Sequence, residues 1–325
     1  MNFVGKVVAV SSPQGRFADG ARELDGHQMI AARAVGKQMF LKFDHHLWLR
    51  VHLGLYGAWD FAGDITADAT VASAGGRMGQ TNQRGTDLTT VWQPNHQSSN
   101  PLLDRDAAED SNASIGAPRR TRLRMSEHER TGAPIDTFPP EPIGAVRVRL
   151  LTENTVADLR GPTACEVQNS EQVDASIGKL GPDPLVDDAR EGEQRFVSAI
   201  RSKPTPIALL LMDQKIVSGI GNVYRAELLF RARLNPHTPG KSVSEETARI
   251  LWRDWTYLLG VGVKTGQMLT MDGLDDVDYR AALAHRDDRH WVYHREGLPC
   301  RVCGTNITMQ ELGARKLYWC PTDQA

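Results

Sequence analysis

Over the first sixty residues the apolar positions come in short runs, "KVVAVSS", "HQMIAARAV", "KQMFLKF" and "LWLRVHLGLYGAWDF", parted by Gly, Asp-His and Pro. Period-two alternation broken at turn-forming residues predicts antiparallel strands of a sandwich or barrel. The pattern stops near Phe61. Residues 62–142 are dominated by small, polar and charged side chains with almost no apolar period. Such a stretch buries too little surface to offset the entropy of ordering it, so a disordered insertion is expected there. Alternation resumes at "IGAVRVRLLTENTVADLRGPTACEV", where alternating Val, Arg and Leu predict one buried and one wet face. Residues 1–61 and 143–170 are therefore assigned to a single β-sandwich domain.

After a polar linker at 171–188, containing "KLGPDPL", the spacing becomes helical: Phe196 with Ile200, then "PIALLLMDQK", "NVYRAELLFRARL" and "SEETARILWRDWTYLLGVGV". Ser242 or Ser244, followed by glutamates, supplies an N-cap signal for the last of these. A helical domain is expected over 189–290, and 291–325 returns to short strands and knuckles. The fold class is α+β, with an N-terminal antiparallel β-sandwich, a helical domain and a C-terminal zinc-ribbon β-hairpin.

A length of 325 residues accommodates two modest domains, each with its own core. No run of about eighteen apolar residues is present, and "MNFVGKVVAV" lacks the zones of a signal peptide, so a cytoplasmic location is expected. Cys300, Cys303 and Cys320 crowd into the C-terminal segment, which argues for a local metal site in a reducing compartment rather than a disulfide framework. Cys165, alone in "GPTACEV", reads as a packed core thiol. The formal net charge of −2 lends no support to a nucleic-acid partner, so any such partner must be argued from placement. "RRTRLR" at 119–124 reads as a solvated basic patch, with phosphate contact as the alternative.

Two stretches carry chemistry. In "LLLMDQKIVSGIGNVYRAELLFRARLNP" (209–236), Gly219, Ile220 and Gly221 lead into a helix opened by Asn222. Backbone N–H groups at such a turn bind phosphate without base specificity, although the same residues also suit a plain helix–helix turn. At the C-terminus, Cys300 and Cys303 form one knuckle and Cys320 opens a second that Asp323 closes where a thiolate is usual. A carboxylate oxygen completes a tetrahedral zinc site, though it is a harder ligand than three thiolates prefer. His290 and His294 compete for the fourth position, and a ribbon without stable metal is the remaining alternative. One structural Zn2+ is the expected cofactor.

Six blocks in order, "VGKQMF", "HLGLYGAW", "KLGPDPL", "LMDQKIVSGIGNVYRAELLF", "VYHREGLPCRVCG" and "ARKLYWCP", resemble those of the formamidopyrimidine-DNA glycosylase and endonuclease VIII family of base-excision repair enzymes. "HLGLYG" leans toward the endonuclease VIII branch. The resemblance implies a helix-two-turn-helix DNA-binding domain over 189–290. It also implies a bifunctional glycosylase and apurinic/apyrimidinic lyase that flips oxidised bases, pyrimidines foremost, out of double-stranded DNA and cleaves by β,δ-elimination, as a monomer associated with the nucleoid.

By position, Lys37 matches a β-hairpin lysine that contacts the backbone at the lesion and assists the lyase step. Gly54, Leu55 and Tyr56 match the segment that fills the gap left by the flipped nucleotide. Lys179 and Asn222 match phosphate-binding positions, and Arg315 matches the arginine that clamps the flipped nucleotide's phosphate and aids δ-elimination. The plain readings beside these are a solvated strand end for Lys37, a core aromatic for Tyr56 and a surface charge for Arg315.

The family's nucleophile is an N-terminal proline followed by a proton-transferring glutamate. This sequence starts Met1-Asn2-Phe3-Val4-Gly5-Lys6, and "FVGKVVAVSSPQGRF" resembles the strand that follows the family's first helix. Neither Pro13 nor Glu23 substitutes by position, because an internal proline has no free N–H with which to form an imine. Two expectations follow: a start assigned downstream of a true Pro-Glu, or a catalytically inactive, zinc-dependent protein that binds damaged DNA. A ribbon module for protein contacts is a weaker third.

Overall fold

The computed structural model describes residues 2–65, 77–78, 81–82, 113–116, 138–284 and 288–325. They divide into two compact units, Met1–Ala175 and Ser176–Ala325.

The first unit is built on antiparallel strands. In chain order these are β1 (Val7–Ser11), β2 (His27–Val35), β3 (Gln38–Phe43), β4 (Trp48–His52), β5 (Ala58–Gly63), β6 (Arg77–Met78), β7 (Thr81–Asn82), β8 (Ala113–Gly116), β9 (Val146–Leu151), β10 (Thr155–Arg160) and β11 (Ala164–Gln168). The pairing order is β11-β4-β3-β2-β1-β9-β10-β5-β8-β7-β6. β1 makes the sheet fold over: Val7 and Val8 pair with β2, whereas Ala9 to Ser11 pair with β9. One core consequently takes Met29, Leu41, Phe43, Leu49 and Val51 from one layer and Trp59, Val148, Leu150 and Leu159 from the other. This is the expected sandwich. Within 62–142, β5 runs on to Gly63, β6 to β8 continue the sheet beyond it and residues 64–65 and 138–142 are described, while the remainder of the expected insertion, "RRTRLR" included, lies outside the described residues.

Two expectations need correction here. The second face of β9 and β10 is not wet, since Arg149 and Arg160 are both buried. Arg149 grips Asp158 with two bonds of 2.7 and 2.8 Å, and Arg160 pairs with Asp60. The segment after Phe138 covers this face, with Pro140 O and Ile143 O accepting from the same two arginines. Periodicity alone cannot tell a solvated charge from one buried and paired. Two short helices also went unread. α1 (Ala18–Leu24) interrupts the first strands. α2 (Ser170–Ile177) opens the expected linker, where Asn169 and Gln172 exchange reciprocal side-chain to backbone bonds of 2.9 Å, a capping box visible in "NSEQ".

The second unit contains α3 (Ala189–Arg201), α4 (Ile207–Leu210), α5 (Asn222–Arg231), α6 (Glu245–Thr265), α7 (Asp276–Ala284) and the hairpin β12 (Thr308–Glu311) to β13 (Lys316–Trp319). Ser244 caps α6 by accepting from Thr247 N at 3.0 Å, which selects it over Ser242. α5 is the hub: Val223 to Phe230 are all buried. One side joins the core of Phe196, Ile200, Leu211, Trp252 and Trp255, and the other packs Ala226 and Phe230 against Val292, Cys300, Ile307 and Tyr318. A helix buried on every side must satisfy any charge it carries internally.

Candidate nucleic-acid interface and metal centre

In the first unit the sequence-predicted residues gather at one end of the sheet. Gly36 and Lys37 form the two-residue turn between β2 and β3, Gly36 taking a φ of 56° that leaves Lys37 exposed at the tip. Gln38 pairs with His52, so the β2–β3 turn and the β4–β5 turn at 53–57 share this end. The latter turn is closed by Gly57 N donating to Leu53 O at 3.0 Å. Gly54 has a φ of 67°, and a Cβ there would stand 1.8 Å from Thr163 Oγ1. Only glycine lets the 161–163 loop press so closely on this turn, where Thr163 N reaches His52 O at 2.8 Å.

Leu55 and Tyr56 are 56% and 66% exposed, so Tyr56 is not a core aromatic. Two large apolar side chains are thus held outward side by side on a closed turn. His52 was missed from sequence. Burial pushes its pKa below the ordinary value, and the charges of Lys37 and Arg50 push the same way. Cys165, by contrast, packs on the core as expected, and burial pushes its thiol up to about 12.

In the second unit, Gly181 packs so closely on the backbone of Ile216 that a Cβ would come within 2.4 Å. Ser218 binds back to this segment through N to Pro182 O at 3.0 Å and Oγ to Gly181 O at 2.7 Å. Exposed Lys179 thereby leads into the segment that packs on the glycine turn before α5. Gln214 staples that turn, accepting from Gly219 N and donating to Ile220 O, both at 3.0 Å. Gly221 stands at the N-cap of α5 with no side-chain cap, leaving the first-turn amides for an acceptor from elsewhere.

The side chain of Asn222 is turned inward, donating to Lys316 O at 2.8 Å and accepting from Arg225. Arg225, fully buried, also donates to Leu312 O at 3.3 Å and Lys316 O at 3.2 Å. These two carbonyls flank the hairpin turn, where Gly313 (φ 64°) and Ala314 (φ 56°) form a tight bend closed by Leu312 N to Arg315 O at 2.9 Å. Arg315 is thus set at the tip of a hairpin anchored from beneath by α5. Burial pushes the Arg225 guanidinium down to about 10, and the charge of Arg315 adds to this. Glu227, also fully buried, accepts from Thr270 Oγ1 and from the amides of Trp291, Val292 and Tyr293, fixing the chain that enters the ribbon. Neither Arg225 nor Glu227 was singled out from sequence; charged residues inside an otherwise apolar helical run were the available signal.

The knuckles bring one donor atom each from Cys300, Cys303, Cys320 and Asp323 within 4.8 Å of one another. Cys303 Sγ and Cys320 Sγ are 3.4 Å apart, and Cys300 Sγ is 3.0 Å from Asp323 Oδ2. The amides of Val302 and Asp323 point at Cys300 Sγ (3.4 Å) and Cys320 Sγ (3.5 Å), as suits thiolates. Three sulfurs, one carboxylate oxygen and amide donors behind them fit a tetrahedral Zn2+. The competing histidines are engaged elsewhere: buried His290 lies 3.3 Å from Thr270 Oγ1, and His294 stacks on Tyr318. Gln324 was also missed; it accepts from Cys320 N and donates to Leu234 O, binding the second knuckle to the helical core.

Comparison with known proteins agrees with this geometry. A family profile described as the formamidopyrimidine-DNA glycosylase H2TH domain matches residues 180–272, and one described as a zinc finger found in FPG and IleRS matches 297–325. Endonuclease 8 1 of Mycobacterium tuberculosis is 34% identical over 322 residues, covering 99% of this chain and 93% of that protein. The formamidopyrimidine-DNA glycosylase of Thermus thermophilus is 38% identical over 150 residues, 45% of this chain and 54% of that protein. Among solved structures, MutM (Fpg) from Thermus thermophilus superposes with a TM-score of 0.60 at 21% identity, covering 99% of this chain and 92% of that one. Lactococcus lactis Fpg bound to DNA containing an AP site gives 0.63 at 17% identity, with 99% and 93% covered.

Proposed function

Because the chain belongs to the formamidopyrimidine-DNA glycosylase and endonuclease VIII family of DNA repair glycosylases, we propose that it is a bifunctional DNA glycosylase and apurinic/apyrimidinic lyase. Its substrates are oxidised bases, pyrimidines foremost, and abasic sites in double-stranded DNA, and it acts as a monomer at the chromosomal DNA. The observation that carries this reading is the end of the sheet where Lys37 and the exposed pair Leu55 and Tyr56 sit on adjoining turns. A cation for the backbone beside an apolar wedge for the vacated stack is what base extrusion requires.

In this reading Leu55 and Tyr56 occupy the gap left by the flipped nucleotide, with Gly54 giving the turn its shape. Lys37, at the turn beside His52, contacts the backbone at the lesion and assists elimination. Lys179 and the first-turn amides of α5 around Asn222 take phosphates, and Arg315 clamps the phosphate of the flipped nucleotide. Cys300, Cys303, Cys320 and Asp323 would hold one zinc ion, which cross-links the two knuckles beneath the hairpin that presents Arg315. The reaction breaks the N-glycosidic bond as an amine of the protein adds to C1′, and the resulting imine acidifies C2′ for β-elimination and then δ-elimination.

Borohydride trapping on a duplex containing an abasic site tests the proposal. A covalent adduct, with strand scission yielding 3′-phosphate ends, is the expected result, and oxidised-pyrimidine duplexes should outcompete oxidised-purine ones. No adduct and no scission at protein concentrations that saturate the same duplex would refute the lyase and leave the alternative, a catalytically inactive protein that binds damaged DNA.

A further inference from the structure

At the end of the sheet remote from Lys37, the β3–β4 turn brings Asp44 and His45 against His27, the first residue of β2. Since β3 spans six residues, this cluster lies about 20 Å from the Lys37 turn at the ~3.3 Å rise of a strand. The donor atoms of His27, Asp44 and His45 lie within 4.8 Å of one another. Nδ1 of His27 is 2.8 Å and Nδ1 of His45 3.5 Å from the same oxygen, Asp44 Oδ1.

The surroundings decide what this triad is built for. Nε2 of His45 is 2.9 Å from the backbone carbonyl of Glu23, an acceptor only, so Nε2 carries the proton. In the neutral ring Nδ1 then holds a bare lone pair. That Nδ1 is buried, meets no hydrogen-bond geometry with a partner among the described residues, and faces a carboxylate oxygen at 3.5 Å. A lone pair held against a carboxylate is repulsive unless a proton or a metal ion stands between them; a proton there makes an ion pair of His45 and Asp44 alone, whereas a metal ion would also take His27. A histidine whose outer N–H is fixed by a carbonyl while its inner nitrogen meets a carboxylate has the arrangement of a metal ligand with its supporting bond. Asp44 is held in the same manner: Gln28 N donates to Oδ2 at 3.3 Å, and Asp44 N donates to Gln28 O at 3.0 Å.

We propose that His27, Asp44 and His45 form a second metal site, for a divalent first-row ion that favours imidazole and carboxylate, such as Zn2+, Ni2+ or Co2+. Ligand distances of about 2.0–2.2 Å in a tetrahedral shell put donor atoms roughly 3.3–3.6 Å apart. The His45–Asp44 pair already stands at 3.5 Å. The His27–Asp44 pair, drawn to 2.8 Å, has to open, and the His27 ring, stacked on His45 with centroids 3.5 Å apart, has to splay and move its proton to Nε2. Water completes the shell on the exposed side. The ion would tie the start of β2 to the β3–β4 turn and, through the Glu23 carbonyl, to the last turn of α1. That makes it a clamp on the sandwich, separate from the DNA-facing end.

The test is titration of untagged, zinc-replete full-length protein with Ni2+, followed by calorimetry and by paramagnetic broadening in NMR spectra. One further equivalent of Ni2+ is expected beyond the zinc of the ribbon, with broadening centred on His27, Gln28, Asp44 and His45. His45→Gln and Asp44→Asn should each lose that equivalent while keeping one zinc per chain. The inference is overturned if zinc-replete wild-type protein takes up no Ni2+, if both variants bind the same equivalent, or if the broadening centres elsewhere. The wild-type spectrum alone decides the matter should either variant fold poorly.

Discussion

Replacing Arg225 with methionine separates stability from positioning. The side chain keeps most of its volume and loses every donor, so the three bonds to Leu312 O, Lys316 O and Asn222 Oδ1 disappear. Bonds from a charged donor are worth about 1.5–3 kcal/mol each. The two carbonyl contacts are long, so the lower figure applies and the loss is roughly 4–5 kcal/mol. Against this stands the cost of keeping a guanidinium inside. Burial, with the charge of Arg315 adding to it, pushes the guanidinium down to about 10, which corresponds to roughly 3 kcal/mol at about 1.4 kcal/mol per pH unit. The net destabilisation is therefore small, about 1–2 kcal/mol, read by urea unfolding of the zinc-loaded protein. Of the side-chain bonds that α5 makes to the two carbonyls flanking the hairpin tip, however, only Asn222 Nδ2 to Lys316 O remains. Arg315 then loses its fixed aim, and affinity for an abasic duplex should fall about tenfold, equivalent to one weakened phosphate contact of about 1.4 kcal/mol. A stability loss above about 4 kcal/mol would show that desolvation is not the opposing force assigned to it. Undiminished duplex affinity would show that Arg225 does not position the tip.

Three further outcomes follow from the same geometry. Asp323→Ala should lose zinc faster to a competing chelator and bind duplex more weakly, while Asp323→Cys should hold zinc more tightly; unchanged zinc stoichiometry and release in Asp323→Ala would remove the carboxylate from the ligand set. His52, depressed by burial and by Lys37 and Arg50, binds fewer protons folded than unfolded. Its effect is absent above the ordinary value of 6.5 and destabilising as pH falls from there through the lower folded value, so an NMR titration midpoint at or above 6.5 would contradict the reading. Gly54→Ala forces a Cβ into Thr163 at a φ of 67°, which should cost about 2 kcal/mol and weaken duplex binding. Thr163→Gly should restore part of that loss, and a fully stable Gly54→Ala protein would show that the two loops do not press together.

Local pattern sufficed for much of this protein. Alternation located the strands, 3.6-residue spacing located the long helices, and "CRVC" with "CPTD" located the metal centre, because those signals depend on neighbours along the chain. Lys37, Gly54 to Tyr56 and Arg315 were named by the resemblance of their blocks to a known family and not by local pattern, which on its own read Lys37 as a solvated strand end, Tyr56 as a core aromatic and Arg315 as a surface charge. Tertiary structure alone decided what surrounds each charge. Arg149 and Arg160 look like solvent-facing strand residues until Asp158, Asp60 and the segment after Phe138 close over them. Arg225 and Glu227 look like the polar stripe of α5 until the ribbon covers that stripe and its backbone becomes their partner. Asn222, Gln214 and Gln324 likewise find their partners only once the hairpin and the glycine turn are folded against the helices. Periodicity records which side chains avoid water. It does not record which polar groups, distant along the chain, will meet once that water is gone, because the pairing of a buried polar group depends on groups that only the fold brings near.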